Sequence, residues 1–424
     1  MCHVAAELER QGFDVPLLIG GATTSKVHTA VKIEPNYKRG PTVYVADASR
    51  AVGVASSLLS KEQRGAFVEA TRVEYAKIAA SYSRGKTAER RLPIAEARAN
   101  RLKVDWKSYA PPVPRFLGVK GFDRIDLRAV SRYIDWTPFF RTWELVGSYP
   151  MILEDDKVGA SAKALFADAQ KMLKRIIDGQ WLTAKAVVGF WPANSAGFDD
   201  IEIHEDATRE KTLATFHTLR QQMRRDDGRP NLALADFIAP KETGVADYFG
   251  CFAVTSGHGE IERSAVFKKA NDDYDGILFK ALGDRLAEAL AEYTHERVRR
   301  ELWGYAREEK LSNEDLIAEK YRGIRPAPGY PAQPDHTEKA ELFRVLDAGT
   351  TAGMELTESF AMMPGSSVSG FYFSHPQSAY FGVGRIERDQ VQDYATRKGL
   401  SLGEAERWLA PNLAYIPGKA EAAA

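Results

Sequence analysis

The sequence predicts an α+β body with a central antiparallel sheet and long helices, preceded by a partial α/β (Rossmann-like) segment. Three observations predict it. Residues 1–60 alternate short apolar runs with helical stretches. From about Arg128 onward, strand-like and helical stretches mix irregularly and without a repeat. The stretch KALGDRLAEALAEYTHERVRRELWGYA (280–306) carries the pattern of one long amphipathic helix.

MCHVAAELERQGFDVP reads as a helix entered partway along, with Val4 and Leu8 on its apolar face and a stop at Gly12. A chain that opens in this way is expected to be a piece of something longer. PLLIGG (16–21) is a continuous apolar run ending in glycines, as a buried parallel strand is. ATTSKVHTAVKI begins with capping residues and turns helical, TVYVAD (42–47) is a second β-rich run, and SRAVGVASSLLS is helical again. The order implies parallel strands joined by a right-handed crossover. Two strands are too few for a stable doubly wound sheet. Residues 62–91 read as a helix and then a polar connector. This places a first domain at 1–70, a linker at 71–87 and a second domain at 88–424. In the second domain LPIAEARANRL is helical and VDWKSYAPPVPRFLG is extended. VVGFWPAN and GCFAVTSG are buried strands, and SVSGFYFSHP and YFGVGRI are antiparallel strands. SLGEAERWLAPNLAYIP is a helix with a capping-box start and a proline stop.

The 424 residues exceed one ordinary compact core. Lys+Arg and Asp+Glu both total 58, which disfavours non-specific nucleic-acid binding. Cys2 and Cys251 are the two cysteines, so neither a disulfide framework nor a cysteine-based metal site is expected, and a reducing cytoplasm fits. No apolar run approaches the ~18 residues of a membrane span. HER at His295 and HED at His204 lack the second histidine of a zincin helix. GGATTSK (20–26) lacks phosphate-loop spacing, and neither GxGxxG nor GxSxG occurs.

Four features remain. Gly20–Gly21 closes a parallel strand, which suits either close approach of a ligand to the backbone or a simple tight turn. RGIRPAPGYPAQPDH (322–336) has four prolines from Pro326 to Pro334. It holds Arg325, Ala327 and Tyr330 on a stiff extended strip whose free backbone groups could bond an adenine edge, while Arg325 suits a carboxylate. The same composition suits a structural crossing or a ligand for a polyproline-reading module. Asp284, Glu288, Glu292 and His295 share one helix face, ordinarily a solvated one. Asp135, among the aromatics of YIDWTPFFRTW, is either a helix cap or a buried functional acid.

IRPAPGYP (324–331), YIDWTPFF (133–140), ESFAMMPGSSVSGFYFSHP (358–376) and ERWLAPNLAY (406–415) resemble the activation domain of cobalamin-dependent methionine synthase. ERQGFDVPLLIGGATTSKVHTAVKI resembles the end of that family's cobalamin-binding domain. Met363 departs from the tryptophan form expected there. The resemblance implies a carboxyl-terminal part that binds S-adenosylmethionine through Asp135, Glu288, Arg325, Ala327, Gly329, Tyr330, Tyr380 and Phe381. It implies cobalamin contacts at Gly20, Gly21 and Ala48. The implied role is reductive methylation of inactive cob(II)alamin to methylcobalamin, with an electron from flavodoxin or a flavoprotein reductase. The family's DxHxxG motif does not occur here, nor do the zinc-binding homocysteine module and the folate barrel. The chain alone is therefore expected not to make methionine. The rival reading is a non-catalytic module that only docks flavodoxin or a partner subunit.

Overall fold

The computed structural model describes residues 1–20, 25–45, 48–60, 62–88, 91–225 and 227–417. The chain divides into two compact units, Met1–Arg90 and Arg91–Ala424. The sequence places a linker at 71–87, but that stretch lies within one helix, Arg64–Ala88.

In the first unit, helix Cys2–Arg10 ends before Gly12. Strands β1 (Leu17–Gly20) and β2 (Thr42–Val45) pair in parallel, from Leu17 opposite Thr42 to Gly20 opposite Val45. Between them Ser25 caps a helical turn at His28 N (3.1 Å), which continues as a π-turn over Thr29–Ile33. Among the described residues Ala5, Ile19, Ile33 and Tyr37 form one small apolar cluster. The Tyr37 hydroxyl donates to the Val15 carbonyl (2.7 Å), satisfying the one polar atom that this core buries on tyrosine. Helices Ala48–Leu59 and Arg64–Ala88 follow.

The second unit is organised by a six-stranded antiparallel sheet. Its members are β3 (Gly118–Ile125), β4 (Thr183–Ala196), β5 (Asp200–His204), β6 (Thr212–His217), β7 (Asp247–His258) and, after the short β8 (Glu355–Leu356) and β9 (Met362–Met363), β10 (Ser367–Tyr372). The order is β10-β7-β4-β5-β6, and β3 pairs with the first half of β4. Side chains alternate across a strand, and here both faces are covered. Ala184, Ala186, Val188 and Phe190 of β4 enter one core with helices Gly159–Asp178 and Asp273–Arg297. Val187, Trp191 and Ala193 enter another with helix Glu338–Leu346. Burial on both faces is why these strands read as unbroken apolar runs. A third cluster joins Leu219, Val383 and Ile386 to helices Arg388–Lys398 and Leu402–Trp408.

Some elements differ from the sequence reading. The long helix begins at Asp273, capped by Asp272, and its α-helical part ends at Arg297 in a π-turn over Val298–Leu302. YFGVGRI forms no strand. Its Val383 N–H donates to the Pro331 carbonyl, and Ile386 bridges Leu413, so its partners are loops rather than a ladder. Ser401 forms the expected capping box with Glu404. One buried ionic knot ties the unit together. Arg220, fully buried, donates to Asp199, to both oxygens of Asp236 and to the Asn231 and Phe198 carbonyls, all at 2.7–2.9 Å.

Candidate functional site

The proline strip is an extra strand on the edge of β10. Ile324 and Phe373 exchange both backbone hydrogen bonds (3.1 and 3.0 Å), and the Phe371 N–H donates to the Pro326 carbonyl (2.8 Å). Gly370 permits this approach, since a Cβ there would stand 2.6 Å from the Pro326 oxygen. The backbone groups of Ile324 and Pro326 are thus taken by the sheet rather than left free for a ligand. After Ala327 the chain folds into a tight turn, with the Gly329 N–H donating to the Gln333 carbonyl (2.7 Å). Gly329 has φ +93°, and a Cβ there would meet His336 at 2.3 Å, so only glycine suits the position.

Arg325 leaves the strip toward helix Asp273–Arg297. Its Nη1 alone meets Glu292 Oε2 (2.7 Å), Tyr321 Oη (3.0 Å) and His295 Nδ1 (3.2 Å). Its backbone N–H donates to Tyr380 Oη (3.0 Å), which also bonds Tyr321 Oη (3.1 Å). Nε and Nη2 of Arg325 make no hydrogen bond among the described residues. The side chain is 21% exposed and that of Glu292 only 10%. Burial works against the Arg325 charge, but the Glu292 carboxylate and the surrounding tyrosines outweigh it, and the net shift is upward. Burial, with Arg299 and Arg325 nearby, holds the His295 pKa well below its usual value. An arginine only donates, so His295 Nδ1 accepts and the ring proton sits on Nε2, 3.4 Å from Tyr305 Oη. The His295 ring stacks on Tyr372 and meets Tyr321 edge-on. Glu292 is shared with Arg299 (3.5 Å), which Glu309 holds at 2.8 Å.

The remaining candidates lie around this cluster to different degrees. Ala327 is buried, Tyr330 is 53% exposed on the turn and Tyr380 is 37% exposed. Phe381 packs against Phe237. Glu288, one helical turn before Glu292, is half-buried, forms no hydrogen bond or ion pair among the described residues, and acts electrostatically on Tyr330. Asp135 caps helix Trp136–Thr142 through the Thr137 N–H (2.9 Å), which accounts for one of its oxygens. It lines a cleft of about 930 Å³ with Arg132, Tyr149, Phe166, Asn313 and Glu314. No hydrogen bond joins it to the Arg325 cluster. In the first unit Gly20 ends β1 and Ala48 opens helix Ala48–Leu59, while Gly21 falls outside the described residues. Among the described residues no group of three or more His, Cys, Asp or Glu side chains could hold a metal, and no helix is long and apolar enough to cross a membrane.

The helix face holding Asp284, Glu288, Glu292 and His295 is not uniformly solvated. Asp284 is exposed, but Glu292 is 7% exposed and His295 fully buried. LAEALAEYTHER carries Glu288, Glu292 and Glu296 among its alanines and leucines, so its sequence does not mark Glu292 and His295 as buried. Tyr321, four residues before Arg325, and Tyr372 carried no pattern of their own.

Residues 126–399 match the family model for the vitamin B12 dependent methionine synthase activation domain. The chain belongs to this family. A solved structure described as the MetH reactivation domain bound to AdoHcy is also similar, with 54% identity and a TM-score of 0.74 over 77% of this chain and 99% of that one. Asp135, Glu288, the proline strip, Tyr380 and Phe381 all fall inside the matched activation domain. The first unit lies outside it.

Proposed function

We propose that the activation domain binds S-adenosylmethionine against the 324–330 strip and acts as the methyl-donor module for reactivation of the enzyme's cobalamin. The observation that carries this is Arg325. One nitrogen is committed to buried acceptors, and the Nε–Nη2 edge, the pair of parallel donors that matches a carboxylate, has no partner among the described residues. Glu288, half-buried and unpaired, suits a cationic sulfonium or ammonium group, as does the second oxygen of Asp135. The exposed rings of Tyr330 and Tyr380 suit the adenine or the sulfonium. Ala327 and Gly329 shape the backbone beneath. A relative of 54% identity with AdoHcy bound supports the ligand class.

Cobalamin, when bound, supplies the cobalt centre that accepts the methyl group. In the first unit Gly20 ends one of two parallel strands and Ala48 opens the helix that follows the other, and the carboxyl ends of such strands are where these folds take ligands; Gly21 joins them on the family resemblance alone. These positions fit one flank of the group. The sequence has no DxHxxG histidine, so no protein ligand to the cobalt is assigned. The chain's own contribution is to bind and orient the methyl donor. The electron comes from flavodoxin or a flavoprotein reductase in the cytoplasm, and full turnover requires the homocysteine and folate modules, the former carrying the zinc. Isothermal titration of the full chain with S-adenosylmethionine and with S-adenosylhomocysteine tests the reading. Saturable binding of both is expected, and no heat at millimolar ligand would remove it.

A further inference from the structure

We propose that Glu292 and His295 are positioning residues that fix the Arg325 fork for a ligand carboxylate; this rests on the reading of Arg325 given above. Neither residue would touch the ligand. A free arginine side chain samples many rotamers, and part of that entropy is lost when the fork closes on a carboxylate. Here that freedom is removed beforehand. Glu292 Oε2, His295 Nδ1 and Tyr321 Oη converge on Nη1 from three directions at 2.7, 3.2 and 3.0 Å. Two hydrogen bonds, to His295 and Tyr321, and the Glu292 ion pair on this one nitrogen restrict the guanidinium plane and leave Nε and Nη2 as the remaining edge.

The supports are themselves rigid. His295 is wholly buried, clamped between the stacked Tyr372 ring (centroids 5.3 Å) and the edge-on Tyr321 ring (4.9 Å). Glu292 is held from the far side by Arg299, which Glu309 and the face of Tyr321 hold in turn. Glu292 and His295 sit three residues apart on one helix, so they meet the same guanidinium. A histidine suits this post because its neutral ring offers one acceptor without adding a second negative charge beside the incoming carboxylate. The two carboxylates Glu292 and Glu309 already balance Arg299 and Arg325.

The test compares S-adenosylmethionine with its decarboxylated analogue on the full chain by isothermal titration. The parent protein should prefer the carboxylated ligand by about tenfold or more, as a charge-assisted pair implies, and Arg325→Ala should abolish the preference. Glu292→Gln, which keeps the shape, and His295→Phe, which keeps the ring, should each shrink the preference severalfold while leaving the affinity for the decarboxylated analogue near the parent value. A merely structural role would weaken both ligands equally. Undiminished preference in both variants overturns the proposal and leaves the ligand assignment standing. A parent protein that shows no preference overturns both. Nitrogen-15 spectra of the histidines in the unaltered chain give a second check. His295 should appear as the neutral Nε2–H tautomer from pH 5.5 to 8, and an Nδ1–H or doubly protonated ring would sink the arrangement.

Discussion

At the scale of single residues the site depends on charge placed by burial. Arg325→Ala removes the guanidinium whose Nε–Nη2 edge is open among the described residues and should weaken S-adenosylmethionine binding by roughly 2–4 kcal/mol, because the ligand carboxylate loses a charge-assisted pair. Methyl transfer turns the ligand's sulfonium into a neutral thioether. If Glu288 faces that sulfur, S-adenosylmethionine should bind more tightly than S-adenosylhomocysteine, and Glu288→Gln should narrow the gap. An unchanged ratio would move Glu288 away from the sulfur. Two buried groups set opposing pH responses. His375, packed against Trp106 and Tyr109, is pushed down to about 4 by burial and by Arg322. Between 6.5 and about 4 the unfolded chain binds the proton and the folded chain does not, so acidification costs up to about 3 kcal/mol. Burial pushes Asp247 up to about 7, despite the Ala239 and Tyr248 N–H groups that bond it. Between 3.8 and about 7 the folded chain alone holds that proton, so stability falls as pH rises. The two slopes oppose each other between pH 4 and 6.5. Urea unfolding of Asp247→Asn should therefore show a steeper loss on acidification than the parent, and His375→Phe a shallower one. Of these residues, Arg325 was singled out by its proline setting, which equally suited a structural crossing, and its expected role came from the family resemblance. Glu292 and His295 were not legible, because a charged row on a helix ordinarily means solvent, and only tertiary packing placed this one inside.

At the scale of elements, legibility followed burial. β4, β7 and β10 stood out because both of their faces are covered. β5 alternates Ile201 and Ile203 with Asp200 and Glu202, a true period of two but only five residues long. β3 shows Lys120, Asp123 and Arg124 to solvent, with a bulge between Phe122 and Ile125, and has no unbroken apolar run to mark it. The segment after β6 was opaque for another reason: what holds it is ionic rather than apolar. Arg220→Met should cost about 3–5 kcal/mol in urea unfolding, since Asp236 is left buried without its main partner while Asp199 keeps Arg98 (2.7 Å). A loss below about 1 kcal/mol would mean that the knot contributes little.

For the whole molecule, the two units differ in how much core each owns. Among the described residues the second holds three apolar clusters and the first a single small one. Residues 91–424 should fold and bind S-adenosylmethionine without residues 1–90. In the full chain, amides of Leu17–Ile19 and Val43–Val45 should exchange with deuterium faster than those of helix Asp273–Arg297. Equal protection would show that the first unit is stabilised by more than its own core. Free cobalamin should bind poorly, and a spectral titration giving micromolar affinity with a histidine on the cobalt would contradict that. The strip that carries Arg325 has one more consequence. An uncovered β10 would offer Phe371 and Phe373 on an open edge, a template for pairing with other chains. The strip occupies that edge, and its outward-facing Arg325 N–H is taken by Tyr380 Oη (3.0 Å), so that donor is not offered to another chain. Substitutions that loosen the strip should therefore threaten solubility as well as ligand affinity, and the ligand, by holding the strip down, should act as a guard against aggregation.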